Sequence, residues 1–196
     1  HSVGLLSFAH GAHHADDARP LGTLCEPLVT VPAPQRYNAD RLRTLLTTCA
    51  PDMAHRLHSL AFATALRELV HRERFDIIQV EGIELASYAL MIRKWPGGRA
   101  PAEHRRFAKG NAAKLAKRSA QPALVFDDHN AEYLLQRRHF ETDLSNPRRW
   151  PTALYSLIQW RRLVRFERRA CRQADAVLAC SQADAQALTR LVPGLD

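Results

Sequence analysis

Residues 122–130 read Pro-Ala-Leu-Val-Phe-Asp-Asp-His-Asn, an uninterrupted apolar run that stops at a polar cluster. A short apolar run without polar alternation predicts a strand covered on both faces, which is typical of parallel sheets. Two further short runs, mostly apolar, also stop at polar residues: residues 76–80 are followed by Glu81-Gly82, and residues 175–180 are followed by Ser181. Because ligands bind beyond the carboxyl ends of parallel strands, these three polar ends predict one ligand-binding rim.

The remainder of the chain alternates between strands and helices. Strands are predicted at residues 3–8, 25–31, 76–80, 123–126 and 175–180, and helices at 40–48, 51–72, 83–92, 130–140, 152–172 and directly after Ser181. Short apolar strands joined by helices predict right-handed crossovers. We therefore expect one α/β domain over residues 1–196, Rossmann-like, with a parallel sheet and helices on both faces.

The composition is that of a folded globular protein. The chain has 196 residues, of which 46% are hydrophobic and 24% charged, and a formal charge of +8. These values exclude a collagen, a disulfide scaffold and a wholly disordered chain. Apolar runs stay far below the ~20 residues that a membrane-spanning helix needs. The four cysteines form no C-x-x-C pair, which removes the usual zinc and redox motifs.

The positive charge is concentrated in one region. Residues 93–118 hold nine basic residues and a single acid, Glu103, so this stretch alone carries the net +8. With its glycines and prolines, the region around 95–120 is predicted to be a basic surface insertion. We expect either a solvated segment or a patch for an anionic membrane surface. It lacks the interleaved aromatics of a nucleic-acid stacking surface, so no specific nucleic acid is predicted.

A second basic feature lies on the long helix at residues 152–172. Arg161, Arg165, Arg168 and Arg172 recur at helical spacing and form one stripe. Glu167 falls on the opposite, apolar side of this helix. Burying an unpaired carboxylate is costly, so we expect Glu167 to form an ion pair with an arginine.

The rim residues have chemical and purely structural interpretations. His129 can donate, accept or hold a proton near neutral pH. Glu81 can bind a hydroxyl or pair with His129, and Gly82 permits close approach of a ligand. Ser181, with Asp184 three residues on, is equally a helix cap, and Asp128 can cap the helix that follows it.

At these residues the chain resembles the family 4 glycosyltransferases of the GT-B fold. Residues 75–82, Phe-Asp-Ile-Ile-Gln-Val-Glu-Gly, look like a strand of their N-terminal domain. Residues 127–133, Asp-Asp-His-Asn-Ala-Glu-Tyr, resemble their D-x-H-N-x-E-Y strand end. Residues 167–181 resemble the E-R-x-A-x-x-x-A-D-x-V-x-x-x-S segment that closes that domain.

The resemblance implies retaining transfer of a sugar from a nucleotide sugar to a glycan or lipid-linked acceptor, without a metal. It makes His129 the catalytic residue, beside the transferred sugar. The rim positions expected to bind substrate are Glu81, Gly82, Asp128, Asn130 and Ser181. The positions expected to support the site are Glu132, Tyr133 and Glu167. A bacterial polysaccharide pathway and a cytoplasmic location, peripheral at the inner membrane face, are further implications.

The chain also departs from the family pattern. It lacks the opening strand and Gly-rich turn, and the C-terminal nucleotide-binding domain with its E-x7-E segment. We therefore expect a fragment that binds no cofactor and is inactive alone.

Two alternatives stay open. The first is a non-catalytic Rossmann-like binding module whose basic face docks a partner or nucleic acid. The second, weaker one is a metal site at His10, His13 and His14, which lack an acid or cysteine at ligand spacing.

Overall fold

The structure is a computed structural model that describes residues 2–9, 19–95 and 122–195. The strands are β1 Leu5–Ala9, β2 Leu28–Pro32, β3 Ile77–Glu81, β4 Ala123–Asp128 and β5 Ala176–Ala179. The α-helices are α1 Asn38–Thr47, α2 Asp52–Arg56, α3 Leu60–Arg72, α4 Ala86–Ile92, α5 Glu132–Leu144, α6 Trp150–Gln173 and α7 Gln182–Leu191. Short 3-10 helices span Arg19–Thr23 and Pro147–Arg149. The predicted strands are all present, shifted by a few residues at their ends.

One predicted helix is divided in two. Residues 51–72 form α2 and α3, separated at residues 57–59. The Ser59 side chain accepts a hydrogen bond from the backbone N–H of Phe62 and so begins α3. The Tyr88 hydroxyl donates to the carbonyl of Leu57 and accepts from the N–H of Ser59. The side chain of Tyr88, about 30 residues further along the chain, thus stabilises the break between α2 and α3.

The strands form two parallel sheets rather than the single sheet predicted. One sheet pairs β1 with β2, and the other has the order β3-β4-β5. All three strand pairs are parallel, which confirms the α/β class. Within the described residues no strand joins β1 to β3. Gly4, directly before β1, lies beside the ring of Phe75, two residues before β3. A Cβ at Gly4 would lie 3.1 Å from that ring.

The core lies on one face of the sheets. Leu124, Phe126 and Val80 point into it and are buried by α3, α4, α6 and α7. The strands β1 and β3 share one of its two hydrophobic clusters, in which the ring of Phe8 stacks on that of Phe62 at 4.3 Å.

The opposite face of β3-β4-β5 is exposed in the part of the chain that the structure describes. Ile77, Gln79, Glu81 and Leu178 lie on it. The described helices therefore flank the sheets on one side. Helices were predicted on both faces, and the described residues show them on one.

Several predictions fall outside the described residues, including the histidines at 10–14 and almost all of the basic insertion at 95–120. The first cation of that stretch, Arg93, is buried rather than exposed. Its Nη2 lies 2.6 Å from Oδ2 of Asp175. Among the helices described, none combines the length and apolarity needed to cross a bilayer.

Candidate functional site

The predicted rim forms at the carboxyl ends of β3 and β4. Gly82 follows β3 with a φ of 80°, a left-handed conformation that strains any residue with a Cβ. Its N–H donates to the carbonyl of Asp127 at 2.8 Å, which fastens this turn to the end of β4. A Cβ at Gly82 would lie 3.8 Å from Nδ1 of His129. The glycine therefore leaves open the space beside an exposed histidine.

Two residues absent from the sequence prediction complete this part of the rim. The Glu84 carboxylate lies next to Gly82. Its Oε2 is 3.3 Å from the position that a Cβ on Gly82 would occupy. Its other oxygen, Oε1, accepts a hydrogen bond from Nη1 of Arg56 at 3.0 Å. Arg56 ends α2, far from any motif, so no local pattern in the sequence indicates it.

Glu132 adds a second carboxylate to the same cluster. Burial and, next, the charge of Glu84 raise its pKa, while a hydrogen bond from Asn130 and the charge of Arg56 lower it. The rim thus brings together four of the predicted residues, Gly82, His129, Asn130 and Glu132. It presents an exposed imidazole, two carboxylates and a guanidinium, groups that together can donate and accept hydrogen bonds.

Asp128 and Glu167 form a buried pair directly beneath His129. Asp128 is 1% exposed and Glu167 is 0% exposed. Burial and mutual repulsion raise the pKa of Glu167, and burial raises that of Asp128. Neither carboxylate oxygen of Asp128 accepts a hydrogen bond from a donor in the described part of the chain. The two carboxyls contact each other, so one proton held between them satisfies both at neutral pH.

Glu167 has a partner different from the one predicted. Its Oε1 accepts the N–H of Glu132 at 2.9 Å, and its Oε2 accepts the N–H of Tyr133 at 2.8 Å. The expected ion pair with an arginine is wrong. A helix begins with unpaired N–H donors and a positive dipole end, and the Glu167 carboxylate meets both on α5. Glu167 therefore holds the segment 128–133 in place.

Ser181 and Asp184 hold the same segment from the other side. The Ser181 hydroxyl accepts the N–H of Asp184 at 3.1 Å and donates to its carboxylate, so Ser181 caps α7 as the alternative interpretation expected. Oδ1 of Asp184 accepts the N–H of Ala131 at 3.1 Å. The hydrogen bonds from Ser181 and then Ala131 lower the pKa of Asp184. Asp184 is therefore ionised at neutral pH.

The other predicted residues take more distant positions. Glu81 lies on the exposed sheet face, where Nε2 of Gln79 donates to its carboxylate at 3.4 Å, and it does not pair with His129. Asp128 is buried, which places it under the rim rather than on it. The Tyr133 hydroxyl donates a hydrogen bond to the carbonyl of Ala187 and so connects α5 to α7.

Two adjoining grooves lie beside α6, and one of them includes a rim residue. The nearer one, about 100 Å³, is lined by Arg56 of the rim cluster together with Gln136, Gln159 and Tyr155. The second, about 230 Å³, lies between α1 and α6 and includes Arg41, Leu42 and Tyr155. Arg41 and Tyr155 line both, so the grooves adjoin. Among the described residues, no group of His, Cys, Asp or Glu has the arrangement of a metal site.

We expect the shared proton to make stability depend on pH. The ordinary carboxyl pKa values are 3.8 for Asp and 4.5 for Glu, and both are raised in the fold. The native state then holds more protons than the unfolded chain, so the free energy of unfolding falls as pH rises from about 4 through neutrality, by up to ~1.4 kcal/mol per pH unit. Asp128→Asn should flatten this slope and raise stability at pH 8 by about 1 kcal/mol, because its amide donates permanently to Glu167.

Urea unfolding at several pH values measures this effect. Asp127→Asn is the matched control, since it makes the same change one residue earlier, on the exposed sheet face, and should leave the slope intact. Equal slopes for the native chain and Asp128→Asn would show that the pair does not retain a proton.

No family model, no curated protein and no solved structure matches this chain.

Proposed function

We propose that this chain is the acceptor-side half of a retaining glycosyltransferase of the GT-B kind, which transfers a sugar from a nucleotide sugar to a glycan or lipid-linked acceptor. One observation carries the proposal: the exposed His129 lies beside the left-handed Gly82 at adjacent strand ends. The sequence around both residues resembles the strand ends of that enzyme family. The proposal assigns the nucleotide to a second domain.

In the proposed reaction, the bond between the anomeric carbon and the phosphate oxygen of the nucleoside diphosphate breaks. A bond forms from the acceptor hydroxyl oxygen to that carbon, and the hydroxyl proton passes to the departing phosphate. His129 orients hydroxyls and stabilises developing charge at this point, and fixed positioning is the main contribution of such a group.

The rim also supplies a place for the acceptor. Arg56 lies in both the rim cluster and the nearer groove, so the proposal assigns the acceptor to that groove. The segment that carries His129 is fixed from below by Glu167 and from the side by Asp184. Such fixed support is what a positioning residue requires, because small displacements of catalytic groups are costly.

We expect His129→Ala to lower the kcat for sugar transfer by about 100-fold, the loss typical of one removed transition-state contact. The assay is product formation from nucleotide-sugar donors by a full-length protein that joins this chain to the proposed nucleotide-binding domain. His139→Ala is the matched control, because His139 is an exposed histidine on the outer side of α5. Equal turnover by the two variants, with both folded, would contradict the assignment of His129.

A further inference from the structure

The helix α6 has an outer face that changes character along its length. Trp150 and Leu154, four residues apart, are 58% and 60% exposed. Arg161, Arg165 and Arg172 continue on the same face by helical spacing and are also exposed. The helix has 24 residues, a length of about 36 Å. An apolar half is thus followed by a basic half on one exposed side.

The apolar half continues onto α1. Leu42 and Leu46, again four residues apart, are 59% and 77% exposed. Arg41 connects the two helices, since its Nη2 lies 3.3 Å from the Tyr155 hydroxyl. Leu42 and Tyr155 line the same groove, together with Arg41. We call this area the α1–α6 surface, comprising Leu42, Leu46, Trp150, Leu154, Arg161 and Arg165.

The α6 part of this surface lies in a basic stretch of the sequence. Residues 144–166 include five arginines and no acid. The preceding acid, Asp143, is buried and paired with Arg149 at 3.1 Å. The exposed leucine and tryptophan side chains stay hydrated in water, at a cost that burial of their apolar area would remove. They are stabilised where apolar groups enter a hydrocarbon boundary and cations meet phosphate.

We propose that the α1–α6 surface docks on an anionic phospholipid bilayer. Trp150, Leu154, Leu42 and Leu46 enter the interface, and Arg161 and Arg165 contact lipid phosphates. Tryptophan and arginine are suited to that depth, because each has an apolar body and a polar end. A nucleic acid would use the arginines and leave the leucines exposed. The inference does not depend on the proposed sugar transfer.

Co-sedimentation of the intact protein with vesicles tests this surface, using phosphatidylcholine alone or with about 30% phosphatidylglycerol, enough for a strong negative surface potential. We expect binding to the mixed vesicles. Leu46→Glu with Leu154→Glu should weaken it about tenfold or more, through lost apolar insertion and added repulsion. Arg161→Gln with Arg165→Gln should weaken it about fivefold per residue on mixed vesicles only.

Leu60→Glu is the matched control for the leucine variant. Leu60 is 80% exposed at the start of α3, a helix that packs on β1 and β2, so binding should be unchanged. The substituted positions are exposed. If the leucine variant unfolds, vesicle binding by the arginine variant still tests the surface.

Three outcomes would overturn the proposal. The first is no sedimentation of the native protein with mixed vesicles. The second is undiminished binding by both surface variants, with binding lost on neutralising Lys109, Lys114, Lys117 and Arg118 of the insertion. The third is a native dimer that Leu46→Glu with Leu154→Glu dissociates, which would make a second copy the occupant.

Discussion

Replacing Glu167 by alanine is expected to lower the free energy of unfolding by about 3–5 kcal/mol, a large fraction of the ~5–15 kcal/mol of a typical domain. The substitution leaves the N–H groups of Glu132 and Tyr133 without the acceptor that begins α5. A buried donor left unpaired costs about 1–3 kcal/mol, and the removed side chain leaves a cavity. Urea unfolding followed by circular dichroism measures the loss.

Two controls separate capping from charge. Glu167→Gln keeps one acceptor and can donate to Asp128, so its loss should be about half that of the alanine variant. Glu141→Ala removes an exposed carboxylate that pairs with Arg137 on α5 and should cost less than about 1 kcal/mol. A loss under about 1 kcal/mol for Glu167→Ala would mean that α5 begins without this carboxylate.

Asp175→Ala is expected to lower the free energy of unfolding by a similar amount, about 3–5 kcal/mol. Oδ2 of Asp175 accepts from Nη2 of Arg93 at 2.6 Å and from the N–H of Leu124 at 2.9 Å. The side chains of Arg93 and Asp175 are each 6% exposed. Removing the acid leaves a buried guanidinium whose remaining described acceptor is the carbonyl of Gln173.

A double variant tests whether the orphaned charge is the cause. Adding Arg93→Met to Asp175→Ala should recover at least about 1 kcal/mol, because no unpaired cation then remains in the core. Glu73→Ala, which breaks the exposed pair with Arg72, is the control and should change stability little. A double variant less stable than Asp175→Ala would argue that packing dominates.

The elements of this fold follow from local sequence because its apolar runs are short and well separated. Residues 123–126 are correctly predicted as a strand, and the motif Ser181-x-x-Asp184 correctly predicts the start of α7. The break between α2 and α3 was not predicted, since no proline or glycine marks it. The break depends on a hydrogen bond from Tyr88 to Leu57, and these residues come together only in the folded chain.

The site was predictable only where its residues share a motif. His129, Asn130 and Glu132 are near neighbours in sequence, and Gly82 ends an adjacent strand by the rule for parallel sheets. Arg56 and Glu84 belong to no pattern, and their contact joins α2 to the turn after β3. Glu167 was placed on the buried side of its helix correctly, but its partners are N–H groups, which no side-chain pattern reveals.

The two-sheet arrangement bears on how the chain behaves in solution. Within the described residues, β4 alone has a hydrogen-bonded strand on each side. In that part of the chain, each other strand has one line of backbone N–H and C=O groups that no described strand pairs. Such a line is a template on which a strand of another molecule can add, which is the first step of polymerisation through strands. The formal charge of +8 opposes strand addition, because like-charged molecules repel each other. Added salt screens this repulsion and so favours polymerisation.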